Sequence, residues 1–361
     1  ISQMYKARGT RGKTCTNMHR PYYLRSAKPA VISKKVDTLT MNELLVFMCD
    51  GAPVRGEIVS IGSAWQAVLE RRNDPPAVRR ILGDFVGAAT LLSASLKFEG
   101  TLIIQAQSKG PIQLLVVECT SNLSMRATVK LSVEPSEIAD DATLGDLLDA
   151  SHSGRLVITL DPADREPGQP PYQGIVALQE HHGSSTRPVS SAAHAISLYM
   201  QHSEQLETRI WLASNETHVG GLLLQRLPNS GGHAHLDPQT AQEGWSRIQT
   251  LGETITDEEL LTLPPETILR RLFLEESTLY GVRSFPARQI QFACRCSRNK
   301  VADVLRMLGE EEVQSILAEQ GVVETVCDFC SKPYRFDAVD CLQVFKTDLL
   351  SDATRPPSSG H

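Results

Sequence analysis

Residues 294–330 read CRCSRNKVADVLRMLGEEEVQSILAEQGVVETVCDFC. Four cysteines, Cys294, Cys296, Cys327 and Cys330, stand at the two ends as C-x-C and C-x-x-C, thirty residues apart. Zinc takes tetrahedral thiolate coordination, and two close-spaced cysteine pairs brought together supply four sulfurs. The residues between them suit that task. Val301, Val304, Leu305 and Leu308 make one helical stripe, and Val313, Ile316 and Leu317 a second. Residues 322–326 read as a strand that delivers Cys327, with 334–336 returning as its hairpin mate. The expectation is a small module that holds one Zn2+ in its reduced state.

The same sulfurs admit three readings: a permanent zinc ribbon, four buried thiols, or a redox switch. Zinc keeps all four as thiolates, the reactive form, and Arg295, Arg298, Lys300 and Lys332 add positive charge nearby. A disulfide within C-x-C closes a very small ring and stores strain, and strained disulfides are the labile, regulatory kind. Structural zinc contributes on the order of 10–16 kcal/mol in small peptides. A whole domain is stable by only about 5–15 kcal/mol. A module of this size is therefore expected to unfold when its metal leaves. Spacing alone leaves the static ribbon and the switch both open.

Upstream, residues 237–280 have a helical texture broken by Pro and Gly. Asp237-Pro238 offers an N-cap with proline at the first helical position. Trp245, Ile248 and Leu251 share a face, and Thr256 with Glu259 makes a capping box. After Pro265, residues Ile268, Leu269, Leu272 and Phe273 form an apolar stripe. Three such short helices are marginal alone in water. The stretch also carries nine acidic residues against three basic ones, so it repels itself. It is expected to fold only when docked, to release first, and to lose its docking partner if the neighbouring zinc module unfolds. Arg270 and Arg271 read as its solvated face.

Residues 41–228 mix strands and helices. Strands are expected near 54–61, 101–107, 112–120, 125–133, 155–160, 174–179, 209–213 and 221–227, and helices near 64–72, 77–96, 144–148 and 192–203. Runs of strands with short turns argue antiparallel pairing, hence an α+β fold: mixed sheets packed with helices, a metastable helical linker, and a small four-cysteine zinc domain. The boundaries read as a 1–40 extension, a 41–228 core, a 229–290 linker, a 291–350 zinc domain and a 351–361 disordered tail.

The 361 residues carry a net charge of −6, but residues 1–40 hold nine Lys/Arg against Asp37, so the remainder carries −14. An acidic body argues against nonspecific nucleic-acid binding. Residues 1–40 show no periodicity and read as a disordered or non-native upstream segment with Met41 the working start, a transit peptide being the alternative. No run is apolar enough to cross a membrane, and no apolar h-region follows the basic start, so a cytoplasmic location is expected. Eight cysteines in a chain this long are not a disulfide scaffold, and Cys49 and Cys119 read as core packing. His181, His182, His194, His233 and His235 lie in polar loops and read as solvated. No P-loop, G-x-S-x-G or H-E-x-x-H occurs, so no enzyme is expected.

Five further stretches carry a resemblance. APVRGEIVS (52–60), LLSASLKFEG (91–100), SEQLETR (203–209), EELLTLP (258–264) and EEEVQSILAEQG (310–321), with the cysteine spacing, resemble in order the segments of the 33-kDa heat-shock protein family of redox-regulated chaperones. The likeness spans about 42–350. It implies that Cys294, Cys296, Cys327 and Cys330 hold zinc in an inactive reduced form. It implies that oxidants join Cys294 to Cys296 and Cys327 to Cys330, releasing the metal and unfolding a linker at about 237–290. Apolar surface would then hold unfolding client proteins without ATP, often as a homodimer. Residues 180–193 look like an insertion or divergent patch, the 1–40 segment has no counterpart, and Cys15, Cys49, Cys119 and Cys341 fall outside the family's switch set. The alternative from another class is a static zinc ribbon that binds nucleic acid or a protein partner.

Overall fold

The apolar runs after Met41 become strands of two sheets, and the side chains of one sheet are buried on both its faces. The computed structural model describes residues 22–23, 40–96, 99–148, 154–166, 168–182, 185–228 and 237–352. It divides into two units, one ending at Ala293 and one beginning at Cys294. Cys15, His233, His235, nearly all of the 1–40 segment and the tail beyond 352 lie outside the described residues.

The first unit opens with strands β1 (Tyr22–Tyr23), β2 (Asn42–Cys49) and β3 (Val54–Ile61), then helices α1 (Ser63–Leu69) and α2 (Pro76–Ala94). Strands β4 (Gly100–Gln107), β5 (Ile112–Thr120) and β6 (Ser124–Leu131) follow, then α3 (Leu144–Leu148), β7 (Arg155–Pro162) and β8 (Tyr172–Ala177). The divergent patch forms a small hairpin, β9 (Gln179–His182) with β10 (Ser185–Pro188), in the register Ser185 to His182. Helix α4 (Ala192–Tyr199) is expected to run to 203, but its last turn widens to a π-turn over Met200–Glu204 and stops at Gln205, whose φ is +55°. Strands β11 (Thr208–Ser214) and β12 (Val219–Arg226) complete the run.

The six-stranded sheet contains β4 to β8, antiparallel throughout, and packs against α2. The seven-stranded sheet takes the central order β2-β3-β12-β11. Helix α2 lies between the sheets and is buried on nearly every side, which is why its sequence is apolar all round rather than in a stripe. A Cβ on Gly83 would come within 2.6 Å of Ser214 Cβ, so the helix reaches the sheet because that residue has no side chain. In β2, Leu44 faces this central core while Leu45, Phe47 and Cys49 face the other way. In β3, Val59 and Ile61 likewise face the core, and Val54 and Ile58 turn outward.

That outward face is covered by α5 (Pro238–Gly252), α6 (Asp257–Thr262) and α7 (Pro265–Leu279). The caps read from sequence are formed: Asp237 accepts from Gln239 N and Thr240 N at 3.1 and 3.0 Å, and Thr256 and Glu259 close a capping box. Trp245, Ile248, Leu260, Ile268, Leu269, Leu272 and Phe273 pack on Leu45, Phe47, Val54, Ile58, Leu222 and Leu224. Within the first unit the docking partner of the helical segment is the sheet. Arg271 is not free surface either: it pairs with Glu259 at 2.7 Å and donates to Thr254 Oγ1 at 2.8 Å, tying α7 to the end of α5 and to α6. After α7 the chain adds β13 (Val282–Ser284) and β14 (Arg288–Gln289) to β2, and β15 (Gln291–Phe292) in parallel to β6.

The second unit contains α8 (Arg298–Leu308), α9 (Glu310–Gln320), the hairpin β16 (Val323–Val326) with β17 (Pro333–Phe336), and α10 (Ala338–Asp352). Among the described residues its core has eight buried side chains, including Leu305, Val313, Phe336, Cys341 and Val344. The stripe expected on α8 divides: Leu305 is buried, but Val304 and Leu308 are exposed. The long C-terminal helix α10 takes part of the packing that the sequence pattern assigns to α8.

Phe273 is buried with its ring 5.3 Å from that of Phe47. Phe273→Ala is expected to remove about 3–5 kcal/mol of docking energy. Amide exchange should rise across 238–279 while the six-stranded sheet keeps its protection.

Candidate metal centre

Cys294 and Cys296 lie on the extended chain that enters α8, whose N-cap is Ser297, accepting from Lys300 N at 3.3 Å. Cys327 and Cys330 lie on the turn between β16 and β17. That turn closes through Cys327 N to Lys332 O at 3.0 Å and Ser331 N to Cys327 O at 2.7 Å, with Ser331 at φ +56°. The backbone thus folds into a knuckle whose amides point at sulfur. N–H groups of Phe329 and Cys330 bond Cys327, and that of Lys332 bonds Cys330. Such amide donors orient thiolate ligands and offset their charge.

All four sulfurs lie within 4.8 Å of one another and each cysteine is half-buried. The shortest separations run between the motifs: Cys294 Sγ to Cys327 Sγ is 3.7 Å and Cys296 Sγ to Cys330 Sγ is 3.4 Å. A tetrahedral ion with sulfur at about 2.3 Å requires sulfur–sulfur edges of about 3.8 Å, so the four fit a zinc-sized thiophilic cation. This is the one such cluster among the described residues. The side chains of His181 and His182 lie outside the described residues, and His194 sits 3.3 Å from Ser190 Oγ.

The thiols differ although they share a site. Burial pushes Cys296 up, but Tyr334 and the three other cysteines outweigh it and bring it down to about 7. Burial, reinforced by the neighbouring sulfurs, pushes Cys330 up to about 12. Burial also raises Cys327 against its two amide donors. Tyr334 is raised to about 12, chiefly by Cys296. Its hydroxyl acts on Cys296 as a nearby O–H donor, although the contact falls outside strict hydrogen-bond geometry. The sequence pattern marks Tyr334 only as a hairpin residue, and nothing in the spacing flags its hydroxyl. Among the nearby cations, Arg298 is committed elsewhere. It pairs with Asp340 at 2.6 Å and lies 4.1 Å over the Phe336 ring. Cys49, Cys119 and Cys341 are buried in three separate apolar cores, and burial raises the pKa of each.

A family model described as Hsp33 protein matches residues 42–337. A 33 kDa chaperonin of Methylobacillus flagellatus is 43% identical over 305 residues, covering 84% of this chain and 94% of that protein. One of Chromobacterium violaceum is 42% identical, covering 86% and 96%. The crystal structure of the 33 kDa chaperonin (Heat shock protein 33 homolog) of Thermotoga maritima superposes with a TM-score of 0.66 at 20% identity, covering 86% of this chain and 99% of that one. That last likeness speaks for the fold.

A thiol must lose its proton to ligate, so affinity for zinc should rise with pH through the neutral range. With Cys327 and Cys330 raised, both are protonated at neutral pH, so loading zinc there should release at least two protons per chain. Calorimetry in buffers of different ionisation enthalpy reads that number. Cys327→Ser is expected to shorten zinc retention against a chelator and to release fewer protons.

Proposed function

The chain belongs to the Hsp33 family and is a chaperone, and we propose that it is a redox-regulated holdase that binds unfolding proteins without ATP. The observation that carries this reading is a cluster of four half-buried thiols in a unit that has eight buried apolar side chains among its described residues. In this reading Cys294, Cys296, Cys327 and Cys330 are both the zinc ligands and the switch. Residues 41–228 are the chaperone core, 229–290 the releasable linker and 291–350 the sensor. A reducing cytoplasm keeps the sensor loaded, and the oxidised form acts as a homodimer.

Bound zinc would supply charge neutralisation and a covalent cross-brace between the two cysteine motifs. The chain's own groups do the rest. Two thiols and one peroxide give one disulfide and two waters, so four thiols consume two peroxides and lose four hydrogens. The pairing favoured here is Cys294 with Cys296 and Cys327 with Cys330. It leaves each motif closed on itself, so no sulfur ties the chain before α8 to the β16–β17 turn and the small core opens. The other pairing, across the short 3.7 and 3.4 Å separations, would staple the unit shut.

The opening has a route to the linker along the chain. Ala293 N bonds Met125 O at 3.0 Å, directly before Cys294, and β13 to β15 connect that point back to α7. Release of α5 to α7 would bare the sheet face of Leu45, Phe47, Val54, Ile58, Leu222 and Leu224. A contiguous apolar surface of that kind is what an unfolding client can occupy.

The test is suppression of aggregation of a heated client. Zinc-loaded reduced protein should fail and peroxide-treated protein should succeed, with one zinc released and four hydrogens lost by intact mass. Peptide mapping should recover the two within-motif disulfides. Equal activity in both states would leave a static zinc ribbon as the better reading.

A further inference from the structure

One carboxylate beneath the helical segment is buried away from water. Glu276 on α7 has 1% of its side chain exposed, and both its oxygens are taken by Arg247 of α5, at 2.8 and 3.0 Å. The Tyr280 ring lies 4.5 Å from the same guanidinium, whose side chain stays 37% exposed, so only the carboxylate is fully buried. The pair sits on the turn between β2 and β3. A Cβ on Gly51 would come within 2.6 Å of Tyr280 and 2.9 Å of Glu276 Oε1, so the turn is shaped to seat it. The neighbouring acid on that turn, Asp50, is occupied by Arg283 of β13 at 2.7 Å.

We propose that the Arg247–Glu276 pair is the latch that holds α5 to α7 on the sheet, and that losing its alignment is what commits the segment to release. A buried ion pair adds little net stability, because desolvation offsets attraction, but a buried charge without its partner is strongly unfavourable. Docking, driven by the apolar face, therefore tolerates both charges together or neither, but not Glu276 alone. Once α5 and α7 separate slightly, hydration of Glu276 favours full release over a partly lifted state. The latch makes the segment let go as a unit rather than fray helix by helix, whatever event starts the separation.

The test uses the zinc-loaded, reduced full chain, and only its activity readout rests on the holdase reading. Cys49 lies in the core under the segment and Cys119 in the core on the opposite face of the sheet, both fully buried. Alkylation of each is followed by mass spectrometry. Arg247→Met should speed labelling of Cys49 on the order of a hundredfold or more, the size expected when a buried charge loses its partner. Cys119 should stay protected and zinc should stay bound. The double variant Arg247→Met with Glu276→Met removes both charges and should return Cys49 to within a few-fold of the parent rate.

Unchanged Cys49 labelling in Arg247→Met overturns the latch. So does a double variant as open as the single one, which would assign the effect to lost packing on Tyr280. Labelling of Cys49 and Cys119 in step also overturns it, because the segment would then have no separate release. Fast Cys49 labelling without client protection keeps the latch and counts against the holdase reading.

Discussion

A β-sheet with apolar side chains on both faces cannot leave either face wet. β3 and β12 are buried along nearly their whole lengths, and this constraint organises the first unit. One face is closed by α2 and the six-stranded sheet, in a core of large, mutually buried side chains. The other is closed by three short helices rich in acidic residues, each too short to stand alone. The two covers are unequal in kind. The first is continuous with the rest of the core. The second is an attachment whose helices owe their order to the surface beneath them.

The second unit meets the opposite difficulty. Among the described residues its apolar core is small, and four sulfurs converge beside it. Thiolates at such separations repel unless a cation lies among them. The same proximity makes them ready to exchange electrons instead. In the proposed reading the same four sulfurs serve two chemistries, thiolate coordination of a metal and disulfide formation on oxidation.

Much of this was legible in the residues, and what was not has physical causes. The linker helices could be read because their signals are local: Asp237 before Pro238, Thr256 three residues before Glu259, and a stripe from Ile268 to Phe273. The four ligand candidates could be read because knuckle spacing is a short-range property. Strands β13 to β15 could not, since two or three residues show no period and their order comes entirely from the strands they join. The alternating pattern of β2 is masked because both its faces are apolar. The exposure of Val304 and Leu308 depends on α10, a distant element that covers part of the core in their place. Which sulfurs lie closest depends on how two knuckles meet, and no spacing within either knuckle encodes that.

The division of the seven-stranded sheet between two cores also bears on recovery. When one cover leaves, the strands remain hydrogen-bonded and backed by the other core, so the surface keeps its shape. Return is then a matter of landing helices on a standing template, without rebuilding long-range strand pairing. The caps at Asp237 and Thr256 are made within their own turns and can re-form before landing, on the roughly microsecond scale of helix formation. In the proposed reading, the slow step on the way back would be set by how long the face stays occupied, and so by the departing guest rather than by this chain.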